Sequence, residues 1–321
     1  MHRRQFLGLG LGAAAGMAVR AQSAKRTPVI DAHIHLFDTG RPGGVPWPEK
    51  TDVIYRPALP ERYAGIAKPY GVVGAIAVEA SPLPSDNDWV LNLIAHHPII
   101  VGYVGDLALG SATFAKELER LHGNSQFLGI RCGNLWGRDL LAESKNAACV
   151  ADLRRLANAG LEMDSANPDA GLIEAVLRVS QQVPELRIVI DHLPNATLPS
   201  EAGALKQYWA NLRELGGNSR VFVKLSEIPV KVDGRVPTDV AYYRHKLDAI
   251  WEIFGEDRIL FGSDWPNSDH ITSYGETFGL VRRYVEEKGE RAKEKYFHGN
   301  SVVAYRWRAR DAEQRAVRPV G

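Results

Sequence analysis

Short runs of apolar and β-branched residues recur along the chain, and each is followed by a longer segment in which apolar residues return every three or four positions. Runs of the first kind fit strands buried on both faces, and segments of the second kind fit helices that cover them. Eight runs are predicted as strands: Val29–Ala32, Val72–Ala80, Ile99–Leu107, Phe127–Arg131, Gly160–Met163, Arg187–Asp191, Val221–Leu225 and Arg258–Gly262. Helices are predicted between them, among them Pro60–Tyr70, Asp88–His97, Thr113–Leu121, Ala170–Gln182, Val240–Phe254 and Ile271–Glu287. Eight alternations predict an α/β protein whose parallel sheet closes on itself, a distorted (β/α)8 TIM barrel. A doubly wound open sheet competes, but it usually carries a Gly-rich phosphate turn after its first strand, where His33-Ile34-His35 stands here. No repeat or linker divides the chain, so one domain is expected over residues 28–310.

The segment Met1–Ala21 breaks the pattern. Basic His2, Arg3 and Arg4 precede an apolar, Gly/Ala-rich run from Phe6 to Val19, and small residues follow. This predicts a signal peptide, and Arg3-Arg4-Gln5-Phe6-Leu7 resembles a twin-arginine export signal, which implies a periplasmic or exported protein. The run falls short of the roughly 20 residues that span hydrocarbon, so no stable membrane insertion is expected after export. Across 321 residues the formal charge is +1, from 39 basic and 38 acidic side chains, which offers no electrostatic footprint for nucleic acid. Cys132 and Cys149 match no zinc spacing and are expected as buried free thiols. A small polar molecule remains as the partner, and a homodimer is left open.

In a parallel barrel the functional groups collect where strands end on the carboxyl face. Polar residues ending the apolar runs are His33, His35, Glu79, Asp106, Arg131, Asp164, Asp191, His192, Lys224, Ser226 and Asp264. His33 and His35 alternate with Ile34, so in extended backbone both imidazoles face the same side. They end the first strand and Asp264 the last, and these two strands are neighbours in a closed barrel.

Together, Val29-Ile30-Asp31-Ala32-His33-Ile34-His35 and Leu260-Phe261-Gly262-Ser263-Asp264-Trp265-Pro266 resemble the metal-dependent amidohydrolase superfamily. Further segments, Ile190-Asp191-His192-Leu193-Pro194, Val221–Ser226, Gly129-Ile130-Arg131, Val101–Gly105 and the tail Phe297–Tyr305, resemble its amidohydrolase-related group, which contains sugar-acid lactonases and 2-pyrone-4,6-dicarboxylate lactonase. The resemblance implies a hydrolase in which Asp264 takes a proton from the attacking water. It implies that His33, His35 and His192 either polarise the carbonyl directly or share one divalent ion, zinc or manganese, with Asp264, and with Glu79 as a weaker extra ligand. Metal-free catalysis stays open. The fifth strand departs from the superfamily pattern, carrying Glu162 and Asp164 but no histidine, so a dinuclear centre is not expected.

Arg131 and Lys224 are expected to bind substrate, with Lys224 alternatively paired to Asp191 or Asp264 inside the barrel. Trp47, Tyr55, Asn134, Trp136 and Trp265 are candidate cavity walls. Lactone opening is the leading expectation. Decarboxylation of an aromatic or muconate-type acid and a catalytically inactive binding protein are the alternatives.

Overall fold

The computed structural model describes residues 26–320, so the expected leader Met1–Ala21 lies outside the described residues. Eight parallel strands follow one another in space as in sequence: β1 (Val29–His35), β2 (Val72–Val78), β3 (Ile100–Gly105), β4 (Phe127–Gly133), β5 (Glu162–Ala166), β6 (Arg187–Ile190), β7 (Val221–Leu225) and β8 (Ile259–Phe261). Around them run α1 (Pro60–Ala67), α2 (Ser85–Ala95), α3 (Phe114–His122), α4 (Leu140–Glu143), α5 (Ala147–Asn158), α6 (Ala170–Gln182), α7 (Ala202–Gly216), α8 (Val240–Phe254) and α9 (Tyr274–Glu286). The short α10 (Glu290–Glu294), α11 (Asn300–Tyr305) and α12 (Ala312–Arg315) complete the chain. This is the (β/α)8 barrel the alternation predicts.

Closure occurs just past the end of β8. The Asp264 N–H donates to the His33 carbonyl at 2.9 Å and the His35 N–H to the Trp265 carbonyl at 2.7 Å, with Ile34 and Trp265 as a parallel bridge. The seam of the barrel and the candidate acid are therefore one place.

Two apolar layers hold the scaffold. One lies between strands and helices; a smaller one fills the barrel from Ile30, Ala32, Ile76, Val101, Leu128, Phe222 and Leu260, capped by Ala304, Tyr305 and Trp307 from the C-terminal segment. Helix starts are set by side-chain caps: Asp169 accepts from the Leu172 N–H, Asp239 from Ala241, and Ser273 forms a capping box with Glu276. Among the described residues no helix is long and apolar enough to cross a membrane. Cys132 and Cys149 are buried free thiols.

Candidate active site

A bulge in β1 sets the site. Asp31 pairs with Ala75 and Ile34 with Ala77, so β1 spends three steps where β2 spends two. One extra residue reverses the phase of the alternation. Ile30 and Ala32 point into the barrel below the bulge; above it Ile34 joins the outer core while His33 and His35 meet the other site residues. Asp31, just beneath, accepts from the Tyr63 hydroxyl at 2.8 Å, the Tyr274 hydroxyl at 3.2 Å and the Ser263 N–H at 2.8 Å, which fixes the turn.

Room for His33 depends on Gly262. A Cβ at this glycine would stand 2.8 Å from the His33 Cβ, closer than real carbon atoms pack. Gly262→Ala is expected to displace the imidazole, lowering kcat/KM by about 10-fold to 100-fold with a stability loss of about 1–3 kcal/mol. Steady-state kinetics and thermal melts check both.

Four atoms converge at the carboxyl end of the barrel. His35 Nε2 lies 3.1 Å from Asp264 Oδ1, His33 Nε2 3.6 Å and His192 Nε2 3.7 Å from the same oxygen, while the His33 and His35 Nε2 atoms are 3.3 Å apart. Ligands at roughly 2.1 Å from a tetrahedral zinc stand about 3.4 Å from one another. The distances from the Asp264 oxygen to the three nitrogens are near that spacing, and His33, His192 and Asp264 form a group of ligand-type atoms close enough to hold one divalent cation, with His35 beside it.

For His35 and His192 the outer nitrogens agree with that fit. His35 Nδ1 lies 3.1 Å from the Val78 carbonyl and must donate to it, leaving Nε2 a lone pair that faces the Asp264 oxygen. Two acceptors facing each other need a positive charge or a proton between them. His192 Nδ1 rests 2.8 Å from Ser226 Oγ, so its Nε2 also turns inward. Burial pushes the His35 imidazole down to about 4 and His33 well below the usual range, so both are neutral near pH 7, as metal ligands must be. Burial, opposed by His192 and reinforced by Glu227, pushes the Asp264 carboxyl well above its usual range. A cation among the nitrogens reverses that preference.

His192 and Asp264 both take left-handed backbone, with φ of 50° and 58°. Each sits where a strand ends and the chain must turn sharply over the barrel mouth. Non-glycine residues adopt this conformation at a cost, and such costs collect at functional sites.

Beneath the four atoms lies a layer of buried charge. Lys224 Nζ, with its side chain fully buried, is 2.6 Å from Asp164 Oδ2, 2.8 Å from Asp191 Oδ1 and 3.0 Å from His33 Nδ1. His33, Asp164 and Asp191 form a second cluster of ligand-type atoms, and the Lys224 ammonium lies among them. This corrects the expectation that Lys224 binds substrate; of its two expected partners it takes Asp191. Arg131 donates from Nε to Asp191 Oδ2 at 2.9 Å, and its terminal nitrogen lies 3.4 Å from His192 Nε2.

Above lies a cavity of about 230 Å³ lined by His35, Trp47, Glu79, Ala80, Arg131, Leu135, Trp136, Asn167, His192, Glu227, Asp264 and Asn267. Trp47 packs edge-on against His35, with ring centres 5.5 Å apart. Three expected wall residues lie elsewhere. Trp265 is fully buried, packed near Tyr63 and under the Arg62 guanidinium. Asn134 is tied to Asp169 at the start of α6, and Tyr55 does not line the cavity. Glu79 faces the cavity, but its carboxylate is gripped by Arg138, which also donates to Asp106 at 2.7 Å, so it is not one of the converging ligand atoms.

Glu227 and Asn267 were not singled out from the sequence. Asn267 Nδ2 donates to Asp264 Oδ2 at 2.7 Å and to Glu227 Oε1 at 3.1 Å. Burial works against the Glu227 carboxylate, yet the adjacent His192 and the hydrogen bonds around it hold it down at about 2. The one signal in the sequence was position, since both follow strand ends by two to six residues.

Comparison with known proteins agrees with this geometry. The amidohydrolase family model matches residues 30–307. L-fucono-1,5-lactonase of Burkholderia ambifaria is 28% identical over 288 residues, covering 86% of this chain and 95% of that protein. L-fucono-1,5-lactonase of Burkholderia multivorans is 27% identical over 293 residues, covering 85% and 94%. In fold, the chain is similar to a zinc-bound amidohydrolase from Burkholderia multivorans, with TM-score 0.76 and 24% identity over 88% of this chain and 100% of that one. A probable 2-pyrone-4,6-dicarboxylic acid hydrolase from Acinetobacter baumannii gives TM-score 0.66 at 16% identity, over 87% and 99%. Since the matched span takes in all eight strands and each of the four converging residues, the chain belongs to the amidohydrolase family.

Proposed function

We propose that this amidohydrolase opens the ring of a lactone, and that the lactone is that of a sugar acid. The observation that carries the reading is the convergence of three imidazole Nε2 atoms and one Asp264 oxygen at the floor of a small polar cavity. The two curated relatives, both L-fucono-1,5-lactonases, support the substrate class. The lining supports it too, because Asn167, Glu227 and Asn267 offer donors and acceptors to ring hydroxyls while Trp47 and Trp136 offer flat apolar faces.

His33, His35, His192 and Asp264 would hold the cation, zinc or manganese. Bound there, it would supply positive charge that polarises a carbonyl and acidifies water. Asp264 takes the proton of the attacking water as the new C–O bond forms. Collapse of the tetrahedral centre breaks the ring C–O bond, and the same proton passes to the departing ring oxygen. Arg131 lines the cavity with its Nε committed to Asp191 and one terminal nitrogen 3.4 Å from His192 Nε2, so its guanidinium charge would favour the carboxylate that the reaction creates.

Purified protein supplied with zinc or manganese is expected to release acid from hexono-1,5-lactones, followed with a pH indicator. Chelation is expected to lower that rate by about 100-fold or more, with recovery at one ion per chain by elemental analysis. No turnover on sugar-acid lactones, together with carbon dioxide release from an aromatic acid, would replace this reading with decarboxylation. The leader Met1–Ala21 supports export as a further part of the proposal, tested by whether the protein appears in the periplasmic fraction.

A further inference from the structure

Trp47 stands in the long loop between β1 and α1, and two ion pairs fasten that loop, one on each side of it in sequence. Before it, the Arg41 guanidinium donates to Asp86 in α2 at 2.9 Å and lies over the Trp89 ring, with both charged side chains mostly buried. After it, Asp52 Oδ1 lies 2.6 Å from His270 Nε2, and both of these side chains are partly exposed. Helix α2 follows β2 and His270 follows β8, the two strands that flank β1, so the loop is held on both sides of the strand that carries His33 and His35. Between the fastenings, Trp47 packs edge-on against His35 and Phe37 and lines the cavity over the site.

His270 meets two acceptors. Its Nδ1 lies 2.8 Å from the Asn267 carbonyl, which can only accept, so Nδ1 carries a proton. Its Nε2 faces the Asp52 carboxyl, which the Ile54 N–H, helped by His270 itself, holds below the usual carboxylate range. An ionised carboxylate also only accepts, so Nε2 needs a proton as well. The contact as built therefore requires the imidazolium. Other charges stand close by: Lys231 donates to the His270 carbonyl at 2.7 Å, and the Asp269 carboxylate lies 3.6 Å from Arg62 and 3.8 Å from Arg56. The carbonyl that His270 grips belongs to Asn267, whose amide donates to Asp264 Oδ2. One side chain thus links the cavity wall at Trp47 to the turn that steadies Asp264.

We propose that His270 is a positioning residue for the reaction, whose doubly protonated ring joins the loop of Trp47 to the turn of Asn267 and so holds the wall of the substrate cavity in place. Imidazole is the side chain whose charge changes between about pH 5 and pH 8. Once the Nε2 proton leaves, a lone pair faces the Asp52 carboxylate and the join opens. The inference goes beyond the lactonase reading, because it concerns the fastening of the cavity wall whichever carbonyl compound the cavity takes.

His270→Phe removes both donors. At pH 6 it is expected to raise KM about fivefold and to leave kcat within about twofold. Its melting temperature should match the parent's, because an ion pair this exposed adds little to global stability. At pH 9 parent and variant should share one KM. Asp52→Asn should give a KM that changes little with pH, since its amide can accept from the imidazolium through oxygen and donate to the neutral ring through nitrogen. Hydrogen exchange supplies a readout that needs no turnover. The Asp52 and Tyr55 amides, bonded to the Glu49 and Asp52 carbonyls, should exchange about fivefold faster in His270→Phe than in the parent at pH 6 and at equal rates at pH 9. If no sugar-acid lactone is turned over, the lactonase reading fails alone and exchange decides the role of His270. Equal exchange in parent and variant at pH 6, or a KM ratio that is the same at pH 6 and pH 9, overturns the proposal. A variant that loses kcat and melting temperature together overturns it too, and makes His270 an ordinary part of the fold.

Discussion

In the Asp264→Asn protein, kcat is expected to fall by about 10³-fold or more while a product-like hydroxy acid still binds. The amide keeps the shape of the carboxyl and an oxygen that can face the imidazoles, but it cannot accept the proton of the attacking water. Elemental analysis of the variant separates loss of the base from loss of the metal. Stability should move the other way. Burial raises the Asp264 carboxyl well above the usual carboxylate range, so the metal-free native state holds this proton more tightly than the unfolded chain does. A raised carboxyl stabilises the fold below the unfolded value, and that contribution is lost as pH climbs toward the folded value. In chelator, the variant escapes the loss and should melt at or above the parent temperature at neutral pH. A fall in kcat smaller than about tenfold would assign proton transfer to another group.

Much of this site could be read from the order of residues, and what could not has a physical reason in each case. His33 and His35 were legible because strand geometry has a period of two, and Asp264 because a polar residue ending the last apolar run must lie beside the first strand in a closed barrel. The β1 bulge was not legible. It appears only in the pairing of Asp31 and Ile34 with β2, a relation between distant segments. The fifth strand was predicted at Gly160–Met163 but runs Glu162–Ala166, because Glu162, Asp164 and Ser165 look like the end of a strand when their partners are unseen. The partners of Asp164, which are Lys224 and Tyr305, lie 60 and 141 residues away. Helices α6 and α8 follow the expected boundaries, each opened by an Asp cap. Glu227 escaped notice for a related reason, since it follows β7 in left-handed backbone and its importance comes from Asn195, Asn267 and His192 around it.

Lys224→Met is expected to destabilise the protein by about 3–5 kcal/mol, lowering the melting temperature by about 10 °C. Methionine nearly preserves the volume and flexibility of the lysine stem, so what disappears is the ammonium. Asp191 keeps the Arg131 guanidinium, but Asp164 is left with the Tyr305 hydroxyl at 2.8 Å and no opposite charge among its direct hydrogen-bond partners. Even beside Lys224, burial and the Asp191 charge push the Asp164 carboxyl up to about 6. Removing the ammonium raises it further. A carboxyl raised in the folded state stabilises the fold at low pH and loses that contribution as pH rises, so the deficit of the variant should be smaller at pH 5 than at pH 8. Lys224→Met combined with Asp164→Asn should recover part of the stability, since the second change removes the stranded charge. The alternative role, direct contact with substrate, predicts a different pattern: a raised KM with an unchanged melting curve. Stability lost mainly at high pH and partly restored by the double substitution identifies the ammonium as the internal cation that balances Asp164 and Asp191 beneath the site.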